Sequence, residues 1–207
     1  MSSRGSHIAV GTDLVEIVVS GAYGSFTHAL KGNVDLMILP LQGDEAMGWK
    51  PGKPVAFLTS EFIEGTAAFS PDGRWLAYES NETGRVEVYV RPFPGPGGKW
   101  PVSTGGGGLP TWSRTRKELF YRASDFKLIV AAYGVDGGSF RAEKPRVWSE
   151  APLEARGFVR TFDLHPDGQR FAVRKSLASQ ADVKLDRLTL VVGFADELRR
   201  IAPARKR

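Results

Sequence analysis

Residues Phe69–Ser80 read FSPDGRWLAYES, and this residue order predicts a β-hairpin. Ser70-Pro71-Asp72-Gly73 supplies the turn: proline presets φ, aspartate bonds its own backbone, and glycine accepts a positive φ. Trp75, Leu76, Ala77 and Tyr78 follow as a short β-rich run. The phrase returns at Leu164–Val173, LHPDGQRFAV, with His165 in place of the serine. A degraded copy, Trp112–Tyr121, reads WSRTRKELFY and carries Thr115-Arg116 where Asp-Gly stands elsewhere.

The spacing extends outward from these copies. Val34–Leu41 alternates as a strand up to Pro40, a Gly/Pro-rich loop follows over 42–53, and Pro54–Leu58 is a further strand. Val86–Phe93, the loop 94–98 and Lys99–Ser103 repeat that layout. Val34 and Val86 are 52 residues apart, Phe69 and Trp112 are 43 apart, and Trp112 and Leu164 are 52 apart. A period in the forties to fifties with about four strands per repeat indicates propeller blades. One blade is expected at 66–70, 74–80, 86–93 and 99–103, the next at 109–113, 118–122, 128–133 and 146–149. A third starts at 160–164 and 170–175 and continues at 188–192. Phe194, Leu198 and Ile201 then share one face of a short C-terminal helix.

The expected fold is therefore all-β: a partial or small β-propeller of four-stranded antiparallel blades with a short C-terminal helix. Residues 1–32 match no repeat, 33–203 hold the blades, and 204–207 form a basic tail. A ring of six blades at this period needs about 270 residues, more than the 207 present. Open blade edges invite pairing, so a homo-oligomer is expected.

Composition narrows the chemistry. The absence of cysteine excludes disulfides and thiolate sites. Three histidines make a histidine-rich metal site improbable, and neither metal nor cofactor is expected. The net charge of +5 gathers partly in Arg199, Arg200, Arg205, Lys206 and Arg207, a tail that serves solubility more readily than nucleic-acid binding. No run of about 18 apolar residues or signal-peptide layout is present, so no membrane segment is expected and the chain as written reads as cytoplasmic, with its localisation left open.

FSPDGRWLAYES, the GGLPTWS of 107–113 and FDLHPDGQRFAV resemble TolB-like and WD40-like propeller repeats. More narrowly, EVYVRPFPG at 87–95 followed by WPVS at 100–103 resembles the C-terminal propeller of bacterial receptor-like serine/threonine kinases. The resemblance covers about 33–203 and implies a propeller that binds protein or peptide, often outside the cytoplasm. The kinase motifs themselves (a Gly-rich loop with its lysine strand, His-Arg-Asp, Asp-Phe-Gly) are absent.

Candidate site residues follow from topology. Propeller connections from outer to next inner strand, and from second to third strand, gather at one end. Here they carry Glu61, Glu64, Glu82, Asp125, Glu154, Arg156 and Arg160. Glu82, Asp125, Glu154, Arg156 and Arg160 are candidate ligand contacts. Glu61 and Glu64, or Asp163 with His165 on one strand face, are candidate catalytic groups for a hydrolase. The plainer reading is solvated loop charge, and turn geometry for Asp167 and His165. The glycines at 105–108 offer backbone N–H groups to an anion, without a helix dipole behind them.

Two functions are carried forward. The first is a non-catalytic binding or scaffold module presenting its loop end to a protein or peptide. The alternative is a small hydrolase acting on a sugar glycoside or an ester.

Overall fold

The computed structural model describes the backbone of residues 18–20, 23–30, 33–44, 48–154 and 160–174, and side chains over 34–43, 50–154 and 160–174. Every regular element among them is a β-strand. The first sheet holds β1 (Val18–Ser20), β2 (Tyr23–Leu30) and β3 (Asn33–Asp44), with β4 (Gly48–Pro51) folded back on the end of β3 and β5 (Val55–Leu58) pairing its middle. The second holds β6 (Glu64–Phe69), β7 (Trp75–Ser80), β8 (Glu87–Pro92) and β9 (Trp100–Pro101). The third repeats the first: β10 (Gly107–Trp112), β11 (Glu118–Ala123), β12 (Leu128–Asp136), the fold-back β13 (Ser139–Ala142) and β14 (Arg146–Ser149). β15 (Phe162–Leu164) and β16 (Phe171–Val173) begin a fourth. All strand pairs within the sheets are antiparallel, and the described residues form an all-β partial propeller. The strand at 188–192 and the C-terminal helix lie outside the described residues.

One local expectation needs correction. The strand beginning at Asn33 passes through Pro40 and ends at Asp44, and the loop over 42–53 contains the β3–β4 hairpin. Pro40 is tolerated because the ladder uses its carbonyl, which accepts from Gly52 N at 2.7 Å, and not an N–H. Residues 18–30 carry no repeat signature, yet β2 pairs β3 along its whole length, from Tyr23–Pro40 to Leu30–Asn33.

β7 and β11 are buried on both faces, so the two parities of each feed two different cores. On β7, Leu76 and Tyr78 join Leu36, Ile38, Ala67, Phe69 and Tyr89 against the first sheet. Trp75 and Ala77 join Val88, Val90, Trp112, Leu119 and Phe140 against the third. β11 divides likewise, with Leu119 and Tyr121 on one side and Phe120 with Phe162 and Leu164 on the other. This explains why WLAY is continuously apolar and not alternating. Trp112 fastens the second and third sheets, its indole N–H donating to Ala68 O at 2.9 Å.

The three hairpin copies share one frame. Ser70 N donates to Trp75 O (2.8 Å), Ser113 N to Glu118 O (2.9 Å) and His165 N to Arg170 O (2.8 Å). Gly73 and Gly168 take φ of 68° and 71° and donate back to Ser70 O and His165 O. In the degraded copy Arg116 N reaches Ser113 Oγ instead, at 3.2 Å. Asp72 accepts from Ser70 Oγ (2.6 Å), Arg74 N (3.1 Å) and Arg74 Nε (2.8 Å). Burial alone would raise its pKa, but these donors together hold the carboxyl below its ordinary range. Asp167 is held down to about 2, first by Gln169 N and then by Arg170 and His165.

Gly73→Val places a β-branched residue at positive φ and is expected to cost about 1–2 kcal/mol, read as a lowered midpoint in thermal denaturation. Both aspartates have depressed folded pKa values, so their stabilisation is complete above the unfolded value near pH ~4. It is lost as pH falls through the folded values, toward about 2 for Asp167. The thermal midpoint of the parent should therefore drop more between pH 5 and 2.5 than that of Asp72→Asn/Asp167→Asn; equal drops would refute the assignment.

Candidate functional site

The connections 59–63, 81–86, 103–106, 124–127 and 150–154 meet at one end of the blades and are tied to one another. Ile63 N donates to Asn81 Oδ1 at 2.9 Å and Asn81 N returns to Ile63 O at 3.3 Å. Ser124 Oγ donates to Gly105 O at 3.1 Å, Leu153 N to Phe126 O at 2.8 Å, and Arg122 Nη1 to Glu154 O at 3.4 Å. Loops fixed by their own backbone bonds form a preorganised surface on a rigid scaffold.

Three buried carboxylates lie beneath that surface. Glu87 accepts from Ser103 Oγ, from Gly106 N at 2.9 Å and from Arg85 Nε at 2.8 Å. The glycine loop does cradle an anion, and that anion is the side chain of Glu87. Gly107 has no room for a side chain, since an added Cβ would sit 2.7 Å from Ser103 Oγ. Glu79 accepts from Thr66 Oγ1 and, at 2.6 Å, from Leu109 N. Thr66 and Leu109 occupy the same place on β6 and β10, each at a β-bulge and each with positive φ, 41° and 56°. Glu64 accepts from Ser60 Oγ at 2.6 Å and Ser80 Oγ at 3.5 Å, while its Oε2 is buried without a partner. Burial first, and then the charges of Asp35 and Glu82, push its pKa up against the two serines.

The sequence-derived candidates are distributed over this end and beyond it. Glu61 is exposed on the 59–63 segment, close in sequence to the buried Glu64. Glu82 is ion-paired with Lys99, whose ammonium also lies 4.9 Å from the centre of the Tyr89 ring. Asp125 pairs with Lys127 at 3.3 Å, and Lys127 also reaches Glu150 at 2.8 Å. Glu154 contributes its carbonyl, which accepts from Arg122 and from Thr161 Oγ1. Arg160 donates to Thr111 Oγ1 and, at 3.1 Å, to Pro110 O, bridging to β10. Arg156 lies outside the described residues. Asp163 Oδ1 accepts from the adjacent Leu164 N at 2.9 Å, whereas His165 pairs with Asp167 Oδ2 at 3.0 Å in the hairpin turn. No hydrogen bond or ion pair joins Asp163 to His165. Among the described residues, no group of three or more His, Asp or Glu is placed to hold a metal ion, and no helix is long and apolar enough to cross a membrane.

Phe126 is the residue that sequence reasoning missed. It sits at the apex of the β11–β12 turn with φ of 67° and is 40% exposed. Its N–H closes the turn on Ala123 O at 3.0 Å, as Gly84 N closes the β7–β8 turn on Asn81 O at 2.8 Å. Gly84 has φ of 85°, so a phenylalanine stands where the neighbouring blade uses glycine. Arg122 lies over the ring, 5.5 Å from its centre. The available signal was an aromatic at the position of Ser124-Asp125-Phe126-Lys127 where a hairpin turn calls for Gly or Asn.

No protein-family model and no curated protein matches the chain. Among solved structures, the chain is similar to a putative TolB from Agrobacterium tumefaciens, with a TM-score of 0.45 and 16% identity over 61% of this chain and 47% of that one. It is also similar to TolB from Acinetobacter baumannii, with a TM-score of 0.37 and 17% identity over 73% of this chain and 40% of that one. The chain thus spans less than half the length of either protein.

Proposed function

We propose that the chain is a non-catalytic binding module that meets a protein or peptide through its loop end, with Phe126 as the anchor. The observation that carries this reading is the combination of exposure and left-handed backbone at Phe126. A left-handed conformation costs a residue with a side chain about 1–2 kcal/mol. Strain of this kind concentrates at ligand clamps and other functional positions. Aromatic residues on preorganised surfaces supply large contact area at small entropic cost. The polar rim fits the same reading: Lys127 between Asp125 and Glu150, and Lys99 on Glu82, are ion pairs at partly exposed positions. The likeness of 87–103 to propellers carried by receptor-like kinases agrees with a recognition role.

Phe126→Gly separates recognition from stability. Glycine relieves the positive φ while adding unfolded-state entropy, so folding stability should stay within about 1 kcal/mol of the parent. Peptides selected from a displayed random library on the immobilised chain, then measured by fluorescence anisotropy, should bind Phe126→Gly at least about tenfold more weakly. Unchanged affinity in the variant, or no enrichment on the parent, would remove Phe126 as the anchor. Glycoside or ester turnover by the parent that disappears in folded Glu61→Gln or His165→Ala would replace binding with hydrolysis.

A further inference from the structure

At the opposite end from the loops, the hairpin turns of successive blades stand side by side, and one has lost its acid. The turns at Asp72 and Asp167 each neutralise an arginine through their own carboxylate, Arg74 at 2.8 Å and Arg170 at 2.8 Å. In the middle turn Thr115 replaces that aspartate, and the residues around it are Arg114, Arg116 and Lys117. The nearest acid on its own strand is Glu118, which is already divided between Arg116 at 4.0 Å and Arg146 at 3.4 Å. Lys117 is exposed and makes no ion pair with the described residues. Its carbonyl is held by Tyr133 N at 3.0 Å, which fixes the backbone that carries the ammonium.

These cations border a groove of about 230 Å³ between the first and middle turns. Pro71 and Tyr133 form its apolar wall, and Arg116 and Lys117 line it. Tyr133 is held rigidly, stacked on Phe140 at 5.1 Å and edge-on to Trp112 at 5.1 Å. Asp72 also lines the groove, but Ser70 Oγ, Arg74 N and Arg74 Nε already occupy its oxygens. The third turn lies beside the middle one, where Thr115 Oγ1 donates to Asp167 O at 3.5 Å. The result is an open groove with a proline and tyrosine wall, lined by Arg116, which shares Glu118 with Arg146, and by Lys117, which has no ion pair with the described residues.

We infer that this groove is a second binding site, for an acidic peptide segment whose carboxylates meet Arg116 and Lys117 while its chain lies on Pro71 and Tyr133. A peptide fits better than a small anion because the wall offers apolar surface along the groove and the cations are spread over consecutive residues. The site is on the turn end and does not depend on Phe126.

The test uses the full chain and fluorescein-labelled hexaglutamate, followed by anisotropy at low and at physiological salt. Saturable binding should weaken at least tenfold in Arg116→Ala/Lys117→Ala and weaken with added salt as the charges are screened. Phe126→Gly should bind the probe like the parent, which keeps this site distinct from the loop end. If the double variant loses its cooperative melt, Lys117→Gln alone should still weaken binding severalfold and Lys117→Arg should restore it. Equal affinity for parent and charge variants would place the probe elsewhere, for example on the basic tail, and overturn the proposal. Displacement by inorganic phosphate at the same molar concentration as by unlabelled hexaglutamate would also overturn it, since a simple anion site needs no groove.

Discussion

The side chains of Glu79 and Glu87 reach out of one blade to hold the backbone that starts the next. Glu79 accepts from Leu109 N and Glu87 from Gly106 N, so two anions of the second sheet fix the entry to β10. Burying a carboxylate is costly unless donors replace its water, and here several donors do so at once. The positions of Thr66 and Leu109, bulged and left-handed, are held by the same oxygen of Glu79. This junction ties the second sheet to the backbone that opens the third.

Packing follows from that geometry. Because sheets stand face to face, β7 and β11 each contribute one parity of side chains to each neighbouring core. Trp75, Trp112, Tyr133 and Phe140 interlock in one such core through edge and stacked contacts between 5.1 and 6.0 Å. These rings also shape the surface: Tyr133 emerges from the core as the wall of the turn-end groove. The same aromatic cluster therefore packs the blade interface and, through Tyr133, lines the turn-end groove.

The two ends differ in how they handle charge. At the loop end, Glu79 and Glu87 are buried and bonded to backbone, Glu64 is buried on two serine hydroxyls, Glu82 and Asp125 are paired with lysine, and Phe126 is exposed on a strained backbone. At the turn end, the repeated Asp–Arg pair makes two of the turns self-contained, and its loss at Thr115 leaves the middle turn basic. Divergence of a repeat at one copy thus creates chemistry that the unmodified copies lack.

The amino-acid sequence by itself determined the hairpin and its repetition. Proline, aspartate and glycine act through local φ preferences and short-range hydrogen bonds, so FSPDGRWLAYES and LHPDGQRFAV announce their turns without reference to the rest of the chain. The strand at 55–58, those of the second sheet, and β10, β11, β12 and β14 were legible from alternation and turn spacing, whereas β13 was not, because 140–144 reads as part of a long connection. Only tertiary structure decided what the carboxylates do. Glu64, Glu79 and Glu87 look like any loop or strand acid in sequence, and apart from Arg85, two residues from Glu87, their partners lie 4 to 30 residues away. Pairing of β2 with β3 was equally hidden, because strand partnership comes from register across two segments and not from a signature in either. Phe126 was hidden for a subtler reason: its left-handed backbone is imposed by closure of the turn on Ala123 O and by the strands on both sides, against the preference of the residue itself.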